Sequence, residues 1–93
     1  MANPLGNFDA FPRTALATTP TPIEEMVNLS RELDGPQLFV KRDDLTGLAF
    51  GGNKARQLEF YMGDAIAKNA DVILITGAVQ SNFVRTAAAA AAK

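Results

Sequence analysis

Asp71-Val72-Ile73-Leu74-Ile75-Thr76 sets four large aliphatic side chains in a row. Successive side chains of a strand point to opposite faces, so this run is apolar on both. It reads as a strand of a parallel sheet, covered by helices front and back. The segments around it agree with that demand. Residues 1–20 hold Pro4, Pro12 and Pro20 without any hydrophobic period, and read as an extended arm that wraps another element. Thr21 suits a helix N-cap, Pro22 the first helical position and Glu24 the third, a capping box that predicts a helix to Leu33, ended by Asp34-Gly35-Pro36. Ile23, Met26, Val27 and Leu33 form its apolar face. Gln37–Arg42 reads as a short strand, and Asp43–Asn53 as a loop with Gly47, Gly51 and Gly52. A helix follows from Lys54 to Lys68, with Leu58, Met62, Ala65 and Ile66 inward and Asn69 as its stop. After the apolar strand, Gly77–Gln80 turns the chain, and Ser81 or Asn82 opens a helix through Ala87–Ala92. This alternation predicts an α/β fold. Two strands and three helices cannot cover a parallel sheet on both sides, so the 93 residues are expected to be a fragment of a larger α/β protein.

Composition removes most catalytic kits. With no Cys and no His there is no thiolate, no imidazole base, no Ser-His-Asp triad and no zinc site built on those ligands. Nine Lys+Arg against ten Asp+Glu leave a net charge of −1, which gives no electrostatic footprint for nucleic acid or an anionic membrane. The first residues lack a basic segment followed by an apolar one, so no secretory leader is read and a cytoplasmic protein is the expectation.

Two places carry chemistry. At Gly51-Gly52-Asn53-Lys54 a glycine loop runs into a helix, and the glycines let the backbone come close to a bound group. A lysine at that end meets the positive pole of the helix, which disfavours an ammonium and suits an amine that must react with a carbonyl or take a proton. The same four residues also fit a plain tight turn with a solvated lysine. A nucleotide P-loop is a poor fit, because Asn53 intrudes before the lysine and Ala55 replaces the hydroxyl that binds magnesium. The second place is Gly77-Ala78-Val79-Gln80-Ser81-Asn82, between the apolar strand and the last helix, where ligands collect in open α/β sheets. Ser81 and Asn82 beside free helix N–H groups suit an anionic ligand, and equally suit ordinary capping. Lys41-Arg42-Asp43-Asp44 reads as a self-compensating charge cluster, since two adjacent carboxylates alone specify no metal. Phe39, Phe50, Phe60 and Phe83 are assigned to the core, and Tyr61 to a helix face.

Taken together, the string Lys41-Arg42-Asp43-Asp44-Leu45-Thr46-Gly47-Leu48-Ala49-Phe50-Gly51-Gly52-Asn53-Lys54 and the later Gly77–Asn82 resemble the ACC (1-aminocyclopropane-1-carboxylate) deaminase / D-cysteine desulfhydrase family. These are pyridoxal phosphate (PLP) enzymes of fold type II, related to the tryptophan synthase β-chain. Thr21-Pro22-Ile23 also resembles that family's opening, and the likeness runs over most of residues 19–93.

The resemblance implies that the chain is the N-terminal fragment of a two-domain α/β enzyme. Residues 1–54 would open the larger, PLP-binding domain and residues 55–93 the smaller one. It implies that Lys54 is the Schiff-base lysine and the proton-transfer base, that Asn82 binds the cofactor ring, and that Asn53 shapes or contacts the cofactor site. Ser81, Gln80 and Asn82 would bind the substrate, with Ser81 near the reacting carbon. No metal is implied. The reaction implied first is D-cysteine to pyruvate, ammonia and hydrogen sulfide. The alternatives are ACC to 2-oxobutyrate and ammonia, or a fragment inert without the rest of the enzyme, which would be a homodimer when complete. One position departs: Phe83 stands where many desulfhydrase-like members carry His, which removes a hydrogen bond and leaves a ring that stacks or packs.

Overall fold

Prolines and a lack of periodicity predict an arm over residues 1–20, and its described part does wrap. The computed structural model describes residues 6–93, so Pro4 and the rest of residues 1–5 lie outside the described residues. After a single 3₁₀ turn at Phe8–Ala10, the chain runs extended along a helix, α2 (Lys54–Ala67), and is fastened to it by Glu59. The Glu59 carboxylate accepts the backbone N–H of Leu16 at 2.8 Å and of Ala17 at 2.9 Å. It also accepts Arg13 Nε at 2.8 Å, and its backbone carbonyl takes the N–H of Thr14 at 3.0 Å. Its side chain is only 3% exposed, yet both of its oxygens have donors. Burial pushes this carboxyl up, but the N–H groups of Ala17 and Leu16, with Arg13, overcome it and hold the group below its ordinary value. The Arg13 guanidinium also lies 5.2 Å from the centre of the Phe60 ring.

The capping box does not form. Ile23–Glu25 is a strand, β1, paired antiparallel with β2 (Phe39–Lys41), Ile23 opposite Lys41 and Glu25 opposite Phe39. The ladder continues beyond both ends: Met26 N–H donates to Leu38 O and Arg42 N–H to Pro22 O, each at 2.8 Å. A cross-strand partner fourteen or more residues away thus outweighs a local cap. Thr21, no longer a cap, is buried and bonded to Asp43. Helix α1 therefore starts late, at Val27–Leu33, with Met26 before it and no side-chain cap. It ends as expected, with Asp34 left-handed at φ 44°. Its expected apolar face is not buried, and Ile23, Val27 and Leu33 are all exposed.

The core lies between α2 and α3 (Asn82–Ala92), where Leu58, Met62, Ala87 and Ala90 close on Leu16 of the arm. The alanine run works as read, since small side chains let α3 lie close against α2. Helix α2 begins at Lys54 as expected and stops before Asn69, which turns left-handed at φ 54°. Ile66, placed on the inner stripe, is instead exposed. Phe39 and Phe50 also leave the assigned core, with Phe50 94% exposed, whereas Phe83 packs against it.

Residues 71–76 form no strand and pair with none among the described residues. Only Ile75 reaches the core, and Leu74 is 91% exposed. Val72 and Ile73 are exposed as well, so the strand expected to be covered front and back does not form among the described residues. A radius of gyration of 16.7 Å, against about 12 Å for a compact domain of this length, fits a flat layer measuring 53 × 43 × 19 Å. No helix among the described residues is long and apolar enough to cross a membrane.

Gly63 marks the closest approach of arm and helix. A Cβ there would stand 2.6 Å from Arg13 N and from the Pro12 carbonyl. Alanine in a helix interior normally gains about 1 kcal/mol over glycine. Gly63→Ala is expected to do the opposite and lose roughly 1–3 kcal/mol through overpacking, read by urea denaturation of the full-length polypeptide.

Candidate functional site

The segment before Lys54 is built around one threonine. Two 3₁₀ turns, Asp43–Leu45 and Leu48–Phe50, fold the loop back on itself. Thr46 sits between them with no exposed surface. Its hydroxyl donates to Gly52 O at 2.7 Å and accepts Gly52 N–H at 2.9 Å. Its carbonyl accepts the N–H of Thr18, tying the arm to the loop at 2.8 Å. Gly51 (φ 80°) and Gly52 (φ 127°) take backbone shapes that side chains resist, and a Cβ on Gly51 would collide with the carbonyl of Asp44. Beside Gly52 the space is open, with no atom within 4 Å of an added Cβ. Asn53 then occupies the N-cap position without a side-chain cap bond, and Lys54 is the first residue of α2. Lys54 is half-buried, and its amine has no hydrogen-bond or ion-pair partner among the described residues.

The charges next to the loop are sorted more finely than a self-compensating cluster implies. Arg42 does pair with Asp44, at 2.7 Å, and with Glu24. Asp43 instead reaches to α2, taking Arg56 Nε at 2.7 Å and the Thr21 hydroxyl at 2.7 Å. Arg56 Nη2 closes the triangle on the Thr21 oxygen at 2.9 Å. Hydrogen bonds from Arg56 and then Thr21 hold the Asp43 carboxyl down at about 2. Because that value lies below the ordinary 3.8, the stabilisation from Asp43 is complete above pH 3.8 and is lost as pH falls toward 2. Asp43→Asn is expected to flatten the acid limb of a stability-versus-pH curve in that window, measured by denaturant titration at each pH.

The second loop is closed by Ser81. It is the N-cap of α3, its hydroxyl accepting the N–H of Val84 at 3.3 Å, which leaves Asn82 as the first helical residue. Gly77 is needed for the turn, since a Cβ there would meet Val84 Cγ2 at 2.6 Å and the Ser81 side chain at 3.2 Å. Gln80 and Asn82 are exposed and Ser81 half-buried. The Asn82 carbonyl holds the buried Thr86 hydroxyl at 2.7 Å, while its side chain is left to solvent. Phe83 meets the Tyr61 ring edge-on at 6.1 Å, so the aromatic departure is used for packing.

Helix packing draws the two loops toward each other. Helix α3 lies against α2 and against the Leu48–Phe50 turn, and Arg85 Nη2 reaches Gly51 O at 3.5 Å. Lys54 opens α2 and Asn82 opens α3, the two helices that pack together. A cavity of about 280 Å³ lies elsewhere, between Pro12–Thr14 and Gly63, Ile66 and Ala67, and shares no residue with either loop. Thr46, Arg56 and Arg85 were not singled out from sequence.

The donor set fits an aldehyde-bearing anionic cofactor. Lys54 offers a primary amine with no partner among the described residues, Gly52 an open flank beside it, and Asn82 an exposed amide at a helix N-terminus. The chain belongs to the pyridoxal-phosphate dependent enzyme family, whose pattern matches residues 14–93. Its fold is the α/β fold of type II in that family. It is 52% identical over 89 residues to the D-cysteine desulfhydrase of Klebsiella pneumoniae, covering 96% of this chain and 27% of that protein. It is 49% identical over 90 residues to the D-cysteine desulfhydrase of Salmonella paratyphi B, covering 97% and 27%. A crystal structure of an ACC deaminase homologue superposes with a TM-score of 0.88 at 44% identity, over 98% of this chain and 28% of that one. The chain thus spans little more than a quarter of the length of the relatives it matches.

Proposed function

We propose that the full-length polypeptide is a PLP-dependent lyase that converts D-cysteine and water to pyruvate, ammonia and hydrogen sulfide. The observation that carries this reading is a Lys54 amine with no partner among the described residues, behind a glycine loop, in a sequence about half identical to proteins of that activity. When bound, PLP supplies an aldehyde for amine capture and a ring that takes up the electron pair left at the substrate α-carbon. In this reading Lys54 Nζ holds the cofactor and, once released, takes the proton from the substrate Cα. Asn82 donates its side-chain amide to the cofactor ring. Ser81 and Gln80 orient the substrate carboxylate at the head of α3, and Asn53 shapes the approach to Lys54. The division of the chain near Lys54, with residues 1–54 opening the larger domain and 55–93 the smaller, belongs to the same proposal. So do a homodimeric state and a cytoplasmic location, which rest on the family resemblance.

The likeness to an ACC deaminase homologue supports a second reading. ACC has no α-hydrogen, so Lys54 could not begin that reaction by removing one. Incubating the full-length polypeptide with each substrate separates the two. Hydrogen sulfide from D-cysteine is expected, and 2-oxobutyrate from ACC without sulfide release would overturn the first reading in favour of the second.

A further inference from the structure

We propose that Thr46 is a positioning residue for Lys54, setting through its hydroxyl where the reactive amine emerges. The inference rests on the reading of Lys54 as the cofactor lysine. Thr46 is fully buried, and its hydroxyl grips both polar groups of Gly52, the residue two places before Lys54. Gly52 takes a φ of 127° that leaves the backbone little preference of its own, so an external hold has to fix it. The Gly52 N–H is shared with Asp43 O at 3.1 Å, an oxygen that itself lies 3.4 Å from the Thr46 hydroxyl on the same turn. Asn53 adds no side-chain cap to α2. The first turn of α2 therefore takes its direction from Gly52, and Gly52 from Thr46. The Thr46 carbonyl, held by Thr18 N–H, keeps the threonine itself in place. Removing the hydroxyl while keeping the volume takes the donor from Gly52 O and leaves Gly52 N–H on Asp43 O alone, which loosens the loop that aims the Lys54 amine.

The test uses the full-length polypeptide with pyridoxal phosphate as the probe. Cofactor is titrated, the complex is reduced with borohydride, and label on Lys54 is measured by peptide mass spectrometry on the folded fraction. Thr46→Val is expected to raise the half-saturating concentration about tenfold or more, and Thr46→Ser to stay within about twofold of the original protein. Should Thr46→Val not fold, Thr46→Cys takes its place, since a thiol is a weak hydrogen-bonding group of similar size. Folded valine or cysteine variants that label Lys54 with unchanged half-saturation would overturn the inference. A serine variant as impaired as valine would overturn it too, because the methyl group and not the hydroxyl would then matter. Label on a lysine other than Lys54 in the unsubstituted protein refutes the reading beneath it, a result distinct from either.

Discussion

Lys54→Ala in the full-length polypeptide is expected to yield a folded protein that binds no cofactor covalently and releases no sulfide from D-cysteine. The structure gives two reasons to expect folding to survive. The amine has no hydrogen-bond or ion-pair partner among the described residues, and alanine is the best helix former. The loss in rate from proton transfer alone is on the order of 10²–10⁴-fold, before the covalent hold on the cofactor is counted. Three measurements check it: sulfide release, the visible absorbance of the cofactor complex, and circular dichroism. A Lys54→Ala protein that keeps both turnover and a borohydride-reducible chromophore would show that another amine does the chemistry.

The second large effect falls on stability. Glu59→Ala is expected to lose about 2–4 kcal/mol, chiefly because the N–H groups of Leu16 and Ala17 lose their acceptor, while the half-exposed Arg13 turns to solvent. Arg13 would lose its carboxylate, and the N–H groups of Leu16 and Ala17 would face a space with no acceptor. Against a total of roughly 5–15 kcal/mol for a folded domain, that is a large share. Glu59→Gln would restore the volume but turn donors toward donors, so it should recover only part of the loss. Glu32→Ala, on the exposed face of α1, is expected to stay within about 0.5 kcal/mol and serves as the control. Urea denaturation gives the magnitudes, and protease cleavage within residues 6–18 reports release of the arm. An unchanged midpoint for Glu59→Ala would mean that the arm is held mainly by Leu16 in the core.

Local signals in the sequence were reliable where local physics decides. Lys54 after paired glycines, Asn69 as a left-handed stop, Ser81 as a cap and the alanine run placed α2 and α3 to within a residue or so. The same residues marked both loops of the candidate site. Nonlocal partners defeated the rest. Thr21 and Glu24 spell a capping box, but a strand at Phe39–Lys41 and the carboxylate of Asp43 lie within reach only after folding. Glu59 stands between Leu58 and Phe60 with nothing to distinguish it from a solvated helix glutamate, yet it is among the most buried polar groups described. The apolar run at 72–75 reads as a strand buried on both faces, but it forms no strand and pairs with none among the described residues. Two of the aromatic assignments failed for a related reason: Phe39 and Phe50 are apolar by composition, but only the fold says which way they point, while Phe83 packs against the core as expected.

Glu59 and Lys54 share one rigid helix, five residues apart, with the arm locked to the first and the candidate chemistry at the second. A single inserted or deleted residue between them would swing the carboxylate about 100° around the helix axis and strip the arm from its anchor. Gene lineages should therefore keep that interval free of length changes, while the turn at Asp34-Gly35-Pro36, out in solvent, can gain or shed residues as generations pass.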